Sequence, residues 1–230
     1  MAESAHSTAT LRLTMGGLRI AHPITVPNAA VPAAEIVPAL QGLVNAVVEA
    51  AERGKAISCR KGCGACCSQL VPVSRTEGER LLQLVEAMPA ERRATLNARF
   101  AAAETAIEAA GLKDCQGRSD RELSTAYFAL GVPCPFLEDE SCSIHPDRPL
   151  VCREYLVTSP AELCAGPAQE GVTPVAVPKV SMAARGLQDE KDDWFPLALL
   201  QAWARSRPRN AVRRAGPEWM QRFLKGLAHK

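Results

Sequence analysis

Four thiols lie within nine residues at Cys59-x3-Cys63-x2-Cys66-Cys67, and Cys134, Cys142, Cys152 and Cys164 follow in a second stretch. Thiolates are nucleophiles and metal ligands. A structural cysteine is usually isolated and packs as a small hydrophobe. Eight of the nine cysteines instead fall in two stretches rich in glycine and proline, which is the pattern of ligand loops. Cys115 stands alone and reads as a packing residue. The adjacent pair Cys66-Cys67 is informative, because successive side chains diverge and rarely reach one small ion together. The simplest use gives one thiolate to one centre and its neighbour to another. Eight thiols then divide into two sets of four, the count for tetrahedral zinc and for an iron–sulfur cluster. Counting alone permits other divisions.

The neighbours of these thiols fit the same chemistry. Gly62 and Gly64 flank Cys63 and let a backbone fold around an ion. Arg60, Lys61, Arg148 and Arg153 are placed to offset thiolate charge, or to serve as ordinary solvated surface groups. Zinc and iron–sulfur both remain open as cofactors. Only Cys63-x-x-Cys66 has the paired form common in zinc knuckles, and the compact multi-thiol loop with a distant Cys134-Pro135 leans to iron–sulfur. His6, His22, His145 and His229 lie in unrelated segments, and no His-Glu or Ser-His motif of catalytic type is present. No catalytic residue is assigned, and the question of enzymatic activity stays open.

Compartment decides how thiols are read. The opening MAESAHSTATLRLTMGG has no basic segment followed by an apolar one, so no secretory leader is expected. No apolar run is expected to approach the length of a bilayer span. The expected location is the cytoplasm, where cysteines stay reduced. With 27 basic and 25 acidic residues and a net charge of +2, nothing favours nucleic acid or a membrane surface as partner. The expected partner is a metal ion, with any protein partner unknown. Arg205, Arg207, Arg209, Arg213 and Arg214 read as a solvated helix end.

The elements that must hold the loops are mostly helical. Leu11–Pro27 alternates around Gly16-Gly17 and predicts a β-hairpin, after polar residues 1–8 that are expected to fray. Residues 33–53 predict an amphipathic helix, with Pro38 early and Gly54 as its stop. A helix capped by Ser74 or Thr76 runs to about Ala87. Pro89 opens another that ends near Gly111, completing a helical hairpin, and a further helix spans about Ser119–Leu130. The stretch 134–164 reads as irregular and, with little apolar surface, is expected to need metal for order. GVTPVAVPKVSM reads as one strand, and short helices near Trp194–Ala204 and Pro217–Gly226 close the chain. The fold class is mostly α with minor β: a small helical domain with irregular cysteine-rich metal-binding loops and an N-terminal β-hairpin. The organisation expected is an N-terminal hairpin and helix (1–57), a cysteine-cluster domain (58–165), and a C-terminal strand and helices (166–230) packing on the same domain.

Two resemblances follow from the motifs. Cys59-x3-Cys63-x2-Cys66 matches the spacing of radical S-adenosylmethionine enzymes, but those need repeated β–α units after the motif, and helices follow here. The segments CRKGCGACC and PCPFLEDESCSIHPDRPLVCREY together resemble the CxxCxxCC-type cysteine-cluster family of zinc- or iron-chelating domains. The quartet, Pro133-Cys134, Cys142-x-Ile144, Arg148-Pro149-x-x-Cys152 and Cys164 occur in the family's order. The resemblance implies metal chelation by these cysteines. His145 stands where the family often has an aromatic residue, so it is read as a surface or supporting histidine rather than a ninth ligand. Flagellin lysine N-methylases contain a similar domain, which makes an iron–sulfur-dependent protein-modifying enzyme one alternative. Zinc or iron storage or delivery is another.

Overall fold

A computed structural model describes residues 4–113, 119–166, 170–188, 194–207 and 212–228. Cys115 lies outside the described residues. Strands β1 (His6–Met15) and β2 (Leu18–Pro27) form the antiparallel hairpin, with Met15 opposite Leu18. The connecting residues Gly16 and Gly17 have φ of 54° and 79°, the paired left-handed conformation that a two-residue hairpin turn requires. The ladder starts at His6, so the expected fraying of residues 6–8 is corrected: each has a partner across the hairpin.

Strand β3 (Ala30–Pro32) leads through a 3-10 turn into α1 (Val37–Glu52). Pro38 sits in the first turn, where a missing N–H costs nothing. Helix α1 buries Leu40, Leu43, Val44 and Val47 completely. The stretch Ala33–Glu52, 20 residues with hydropathy 1.2, is long and apolar enough to cross a membrane by length and composition, and 56% of an 18-residue window within it is buried inside the protein. That corrects the expectation that no apolar run approaches such a length. Val37, Val44, Val47 and Val48 are all buried, so the apolar content lies in the core stripe of an amphipathic helix rather than in an unbroken apolar block.

Strand β4 (Pro72–Ser74) precedes α2 (Arg75–Glu86), then come α3 (Ala90–Ala109) and α4 (Asp120–Ala129). Ser74 caps α2, and Glu77 returns the bond to the Ser74 backbone; Ser119 and Glu122 do the same for α4. Such reciprocal caps satisfy two otherwise unpaired backbone donors at each helix start. The second cysteine region is more regular than expected. It contains β5 (Leu137–Glu138), β6 (Ser141–Cys142) and α5 (Leu150–Glu154), with 3-10 turns at His145–Asp147 and Ala161–Ala165. Helix α6 (Ser181–Arg185), β7 (Trp194–Pro196), α7 (Leu200–Ser206), β8 (Arg213–Ala215) and α8 (Gly216–Ala228) complete the order. The single strand expected at 171–182 is instead an extended segment as far as Lys179, held by the Val157–Pro174 bridge and the Val175 N–H to Leu156 carbonyl bond of 2.8 Å, and Ser181 and Met182 already belong to α6. Pro174 and Pro178 lack the donors for a longer ladder. Trp194–Pro196 is a strand rather than the start of a helix, pairing with β4.

Three apolar clusters hold these elements. One joins β2, α1, residues 175–187 and α8 around Trp219, Phe223 and Leu150. A second joins α2, α3 and Phe195 to Phe136 and Ile144. The third packs the end of α3 on α4 and Ala198–Leu199. Phe136, Ile144 and Leu150 come from the second cysteine region and are at most 3% exposed. Packing therefore anchors the segment that was expected to lack apolar surface. The C-terminal arginines are individually employed: Arg205 pairs with Glu104 at 2.6 Å, Arg207 lies over Trp203, and Arg214 lies over Trp219. Arg209 lies outside the described residues.

Candidate metal centre

Five chain segments deliver the eight cysteines. The first loop is anchored ahead of Cys59 by Ser58, whose N–H donates to the Val157 carbonyl at 3.0 Å and whose hydroxyl donates to the Thr158 carbonyl at 3.2 Å. A 3-10 turn at Ala65–Ser68 carries Cys66 and Cys67. The Cys134 N–H donates to the Cys67 carbonyl at 2.7 Å, so backbone alone joins the two cysteine regions. The Gln69 side-chain amide donates to the Cys164 carbonyl at 3.1 Å. Cys142 ends the β5–β6 hairpin, and Cys152 lies on α5. Gly64 lies close to the β5–β6 hairpin: a Cβ there would stand 2.7 Å from Glu140 Oε2 and 2.8 Å from Leu137 Cδ1, the ends of two side chains that would have to turn aside.

The turn before Cys152 is fixed from several sides. Arg148 is extended, with φ −55° and ψ 148°, as the following Pro149 demands. Gln41 on α1 donates to the carbonyls of Asp147 and Arg148 at 3.2 and 3.3 Å. Arg153, 5% exposed, donates to the Arg148 and Pro146 carbonyls and to Asn45. Its guanidinium therefore mainly braces this turn. From α2, Glu77 accepts the Leu150 N–H at 2.8 Å and caps the start of α5. Gln41, Asn45 and Glu77 support the site without any spacing motif linking them to it.

Burial governs the thiols. It raises the pKa of Cys59, Cys142 and Cys164, takes Cys134 up to about 12, and drives Cys152 well above the ordinary thiol value. Cys66 is the exception. A hydrogen bond from the Cys67 thiol brings it down to about 7, and that bond correspondingly raises Cys67. Charge interactions link the rest through Cys66, which acts on Cys59, Cys67, Cys134, Cys142, Cys152 and Cys164. Cys164 feels Cys59, Cys66 and Cys63, whereas Cys67 feels Cys134 and Cys142 besides Cys66, and Cys152 feels Cys134, Cys66 and Cys142. Arg148 lowers Cys59, Cys66 and Cys142 alike, and its Nε is buried without a hydrogen-bond partner. Such an orphaned donor among thiols suits a site whose sulfurs become anionic. Arg60 pairs with Glu162 at the surface at 3.3 Å. His145 is exposed at its edge, its Nε2 accepting from Arg148 Nη1 at 2.9 Å; partial loss of solvation and then the Arg148 charge hold its pKa below the usual value.

The eight thiols are free. Among the described residues, no group of three or more Cys, His, Asp or Glu side chains stands in an arrangement that would hold a metal ion outright. A cavity of about 610 Å³ borders the cluster, with Cys66, Cys152 and Tyr155 in its lining. Residues 58–170 match the family model CxxCxxCC, described as "Putative zinc- or iron-chelating domain". This segment is similar to that family, and metal chelation is the property that the family description assigns. No curated protein and no solved structure matches the chain.

Proposed function

We propose that the eight cysteines hold zinc or iron, with iron–sulfur favoured, in two four-thiolate centres. Cys59, Cys63, Cys66 and Cys164 form one set, and Cys67, Cys134, Cys142 and Cys152 form the other. The observation that carries this reading is that the fold joins the two cysteine stretches at two places, by the Cys134 N–H to Cys67 carbonyl bond of 2.7 Å and the Gln69 amide to Cys164 carbonyl bond of 3.1 Å, while the adjacent Cys66 and Cys67 supply the point of division. Buried neutral thiols gain nothing by converging. Closing either cage requires their side chains to rotate and lose protons as the cation binds. Arg148, facing members of both sets, offsets part of the resulting negative charge. The reading supposes a reducing compartment such as the cytoplasm.

A second reading, an enzyme built around such a centre, is favoured by the cavity that borders Cys66 and Cys152. A bound cluster would supply electron transfer, and bound zinc would supply Lewis acidity. The chain's contribution is a scaffold that packing has already ordered, with Glu77, Gln41 and Arg153 fixing the Cys152 turn. Purification without oxygen, followed by metal analysis and a visible spectrum, tests the first reading. Stoichiometric iron with sulfide-to-iron charge-transfer absorption is expected. Stoichiometric zinc without colour would keep the two centres and overturn the iron preference, and neither metal would overturn the reading.

A further inference from the structure

The cavity of about 610 Å³ beside the thiols has the size of a small-molecule site. Its composition is graded. Cys66 and Cys152 border it, Leu70, Val71 and Val151 give it apolar walls, and α4 contributes Arg121, Ser124 and Thr125. These α4 residues are exposed, so they form the rim. Arg121 makes no hydrogen bond or ion pair among the described residues, although most other arginines in the fold are committed to a partner. An unpaired guanidinium beside two hydroxyls, above an aliphatic wall, is a receptor for an oxyanion that carries a hydrocarbon tail.

We propose that this cavity binds a small amphipathic organic anion, its carboxylate or phosphate on Arg121, Ser124 and Thr125 and its aliphatic portion against Leu70, Val71 and Val151. Orientation follows from charge. Metal-bound thiolates at Cys66 and Cys152 repel an anionic head, so the head stays at the α4 rim and the tail runs toward the centre. The placement of the tail next to a metal rests on the two-centre reading; the recognition of the anion by Arg121 does not.

The test uses the full chain as purified without oxygen, titrated calorimetrically with octanoate, octyl phosphate and octylammonium, with metal content measured on every sample. One of the two anions is expected to bind at least about tenfold more tightly than octylammonium, as a charge-assisted contact implies, and the tighter anion assigns the head group. Arg121→Glu should abolish that preference while Arg121→Lys keeps most of it, both at unchanged metal content. Thr125→Trp should fill the rim and block both anions. Ser124→Trp serves the same purpose if Thr125→Trp loses its helical circular dichroism. Anion binding no tighter than octylammonium binding, or unaffected by Arg121→Glu, would overturn the proposal. A chain that carries metal yet binds neither anion would defeat the pocket and leave the centres standing. Arg121-dependent binding by a chain without metal would do the reverse.

Discussion

Replacing Glu77 by alanine removes a side chain that ties the start of α2 to the start of α5. Its carboxylate accepts from the Ser74 N–H at 3.1 Å, the Ser74 hydroxyl at 2.7 Å and the Leu150 N–H at 2.8 Å, and the residue is 3% exposed. Each bond to a charged acceptor contributes about 1.5–3 kcal/mol, and each buried N–H left without a partner costs about 1–3 kcal/mol. Burial raises the Glu77 pKa despite these bonds, so desolvating the carboxylate cancels part of the gain. The net loss expected for Glu77→Ala is about 3–5 kcal/mol, at the upper end for a single substitution. Glu77→Gln keeps one accepting oxygen and should lose about 1–3 kcal/mol. Because Leu150 begins the helix that carries Cys152, metal affinity should also fall, by roughly tenfold to a hundredfold as for other groups that orient ligands. Urea unfolding measures the first quantity, and competition against a chelator the second. A Glu77→Ala protein within about 1 kcal/mol of wild type, below even one such bond, and with unchanged chelator competition would refute the reasoning.

Three further outcomes follow from the same contacts. Gly64→Ala requires only the ends of the Glu140 and Leu137 side chains to turn aside, so helical circular dichroism should be unchanged and metal content nearly so; a large loss of metal would show that the loop cannot take a Cβ. Arg148→Ala should weaken metal binding by roughly tenfold to a hundredfold, and Arg148→Lys should recover part of it; equal affinities in all three proteins would remove Arg148 from the site. Glu138 is held below the usual carboxylate range by its hydrogen bond to Arg92 and then by Arg99, so the unfolded chain binds its proton more readily than the folded one. Its contribution, about 0.5–1 kcal/mol for so exposed a pair, is present above the ordinary carboxylate pKa and is lost as pH falls through the folded value. Glu138→Gln should therefore differ from wild type in unfolding free energy at neutral pH and converge with it in acid, and a difference independent of pH would contradict this.

Local signals made the elements legible. Gly16-Gly17 between alternating runs fixed the hairpin, Ser74 and Ser119 marked helix starts, and Pro89 opened α3. The cysteine quartet and the later four are candidate ligands on sequence alone, and the fold joins their two stretches through the Cys134 N–H to Cys67 carbonyl bond. Pairings between distant segments were not legible. Strands β3 and β4 have three residues each and meet β8 and β7 far along the chain, too short for any period to show. Glu77 reads locally as half of a capping box, and its bond to Leu150 spans 73 residues. Gln41 and Asn45 look like ordinary polar positions on an apolar helix, yet Gln41 reaches the turn before Cys152 and Asn45 holds the Arg153 guanidinium that braces it. Phe136, Ile144 and Leu150 are scattered among prolines without helix or strand spacing, so their burial could come only from tertiary packing.

The division of the thiols at Cys66-Cys67 is tested most directly by counting metal in single variants purified without oxygen. Cys59→Ser removes a ligand from one proposed set and Cys152→Ser from the other. Wild type should carry two centres by native mass measurement, each variant should keep one, and the double variant should keep none. Loss of all metal from both single variants would show one shared centre, and unchanged metal in both would show that these cysteines are not the ligands.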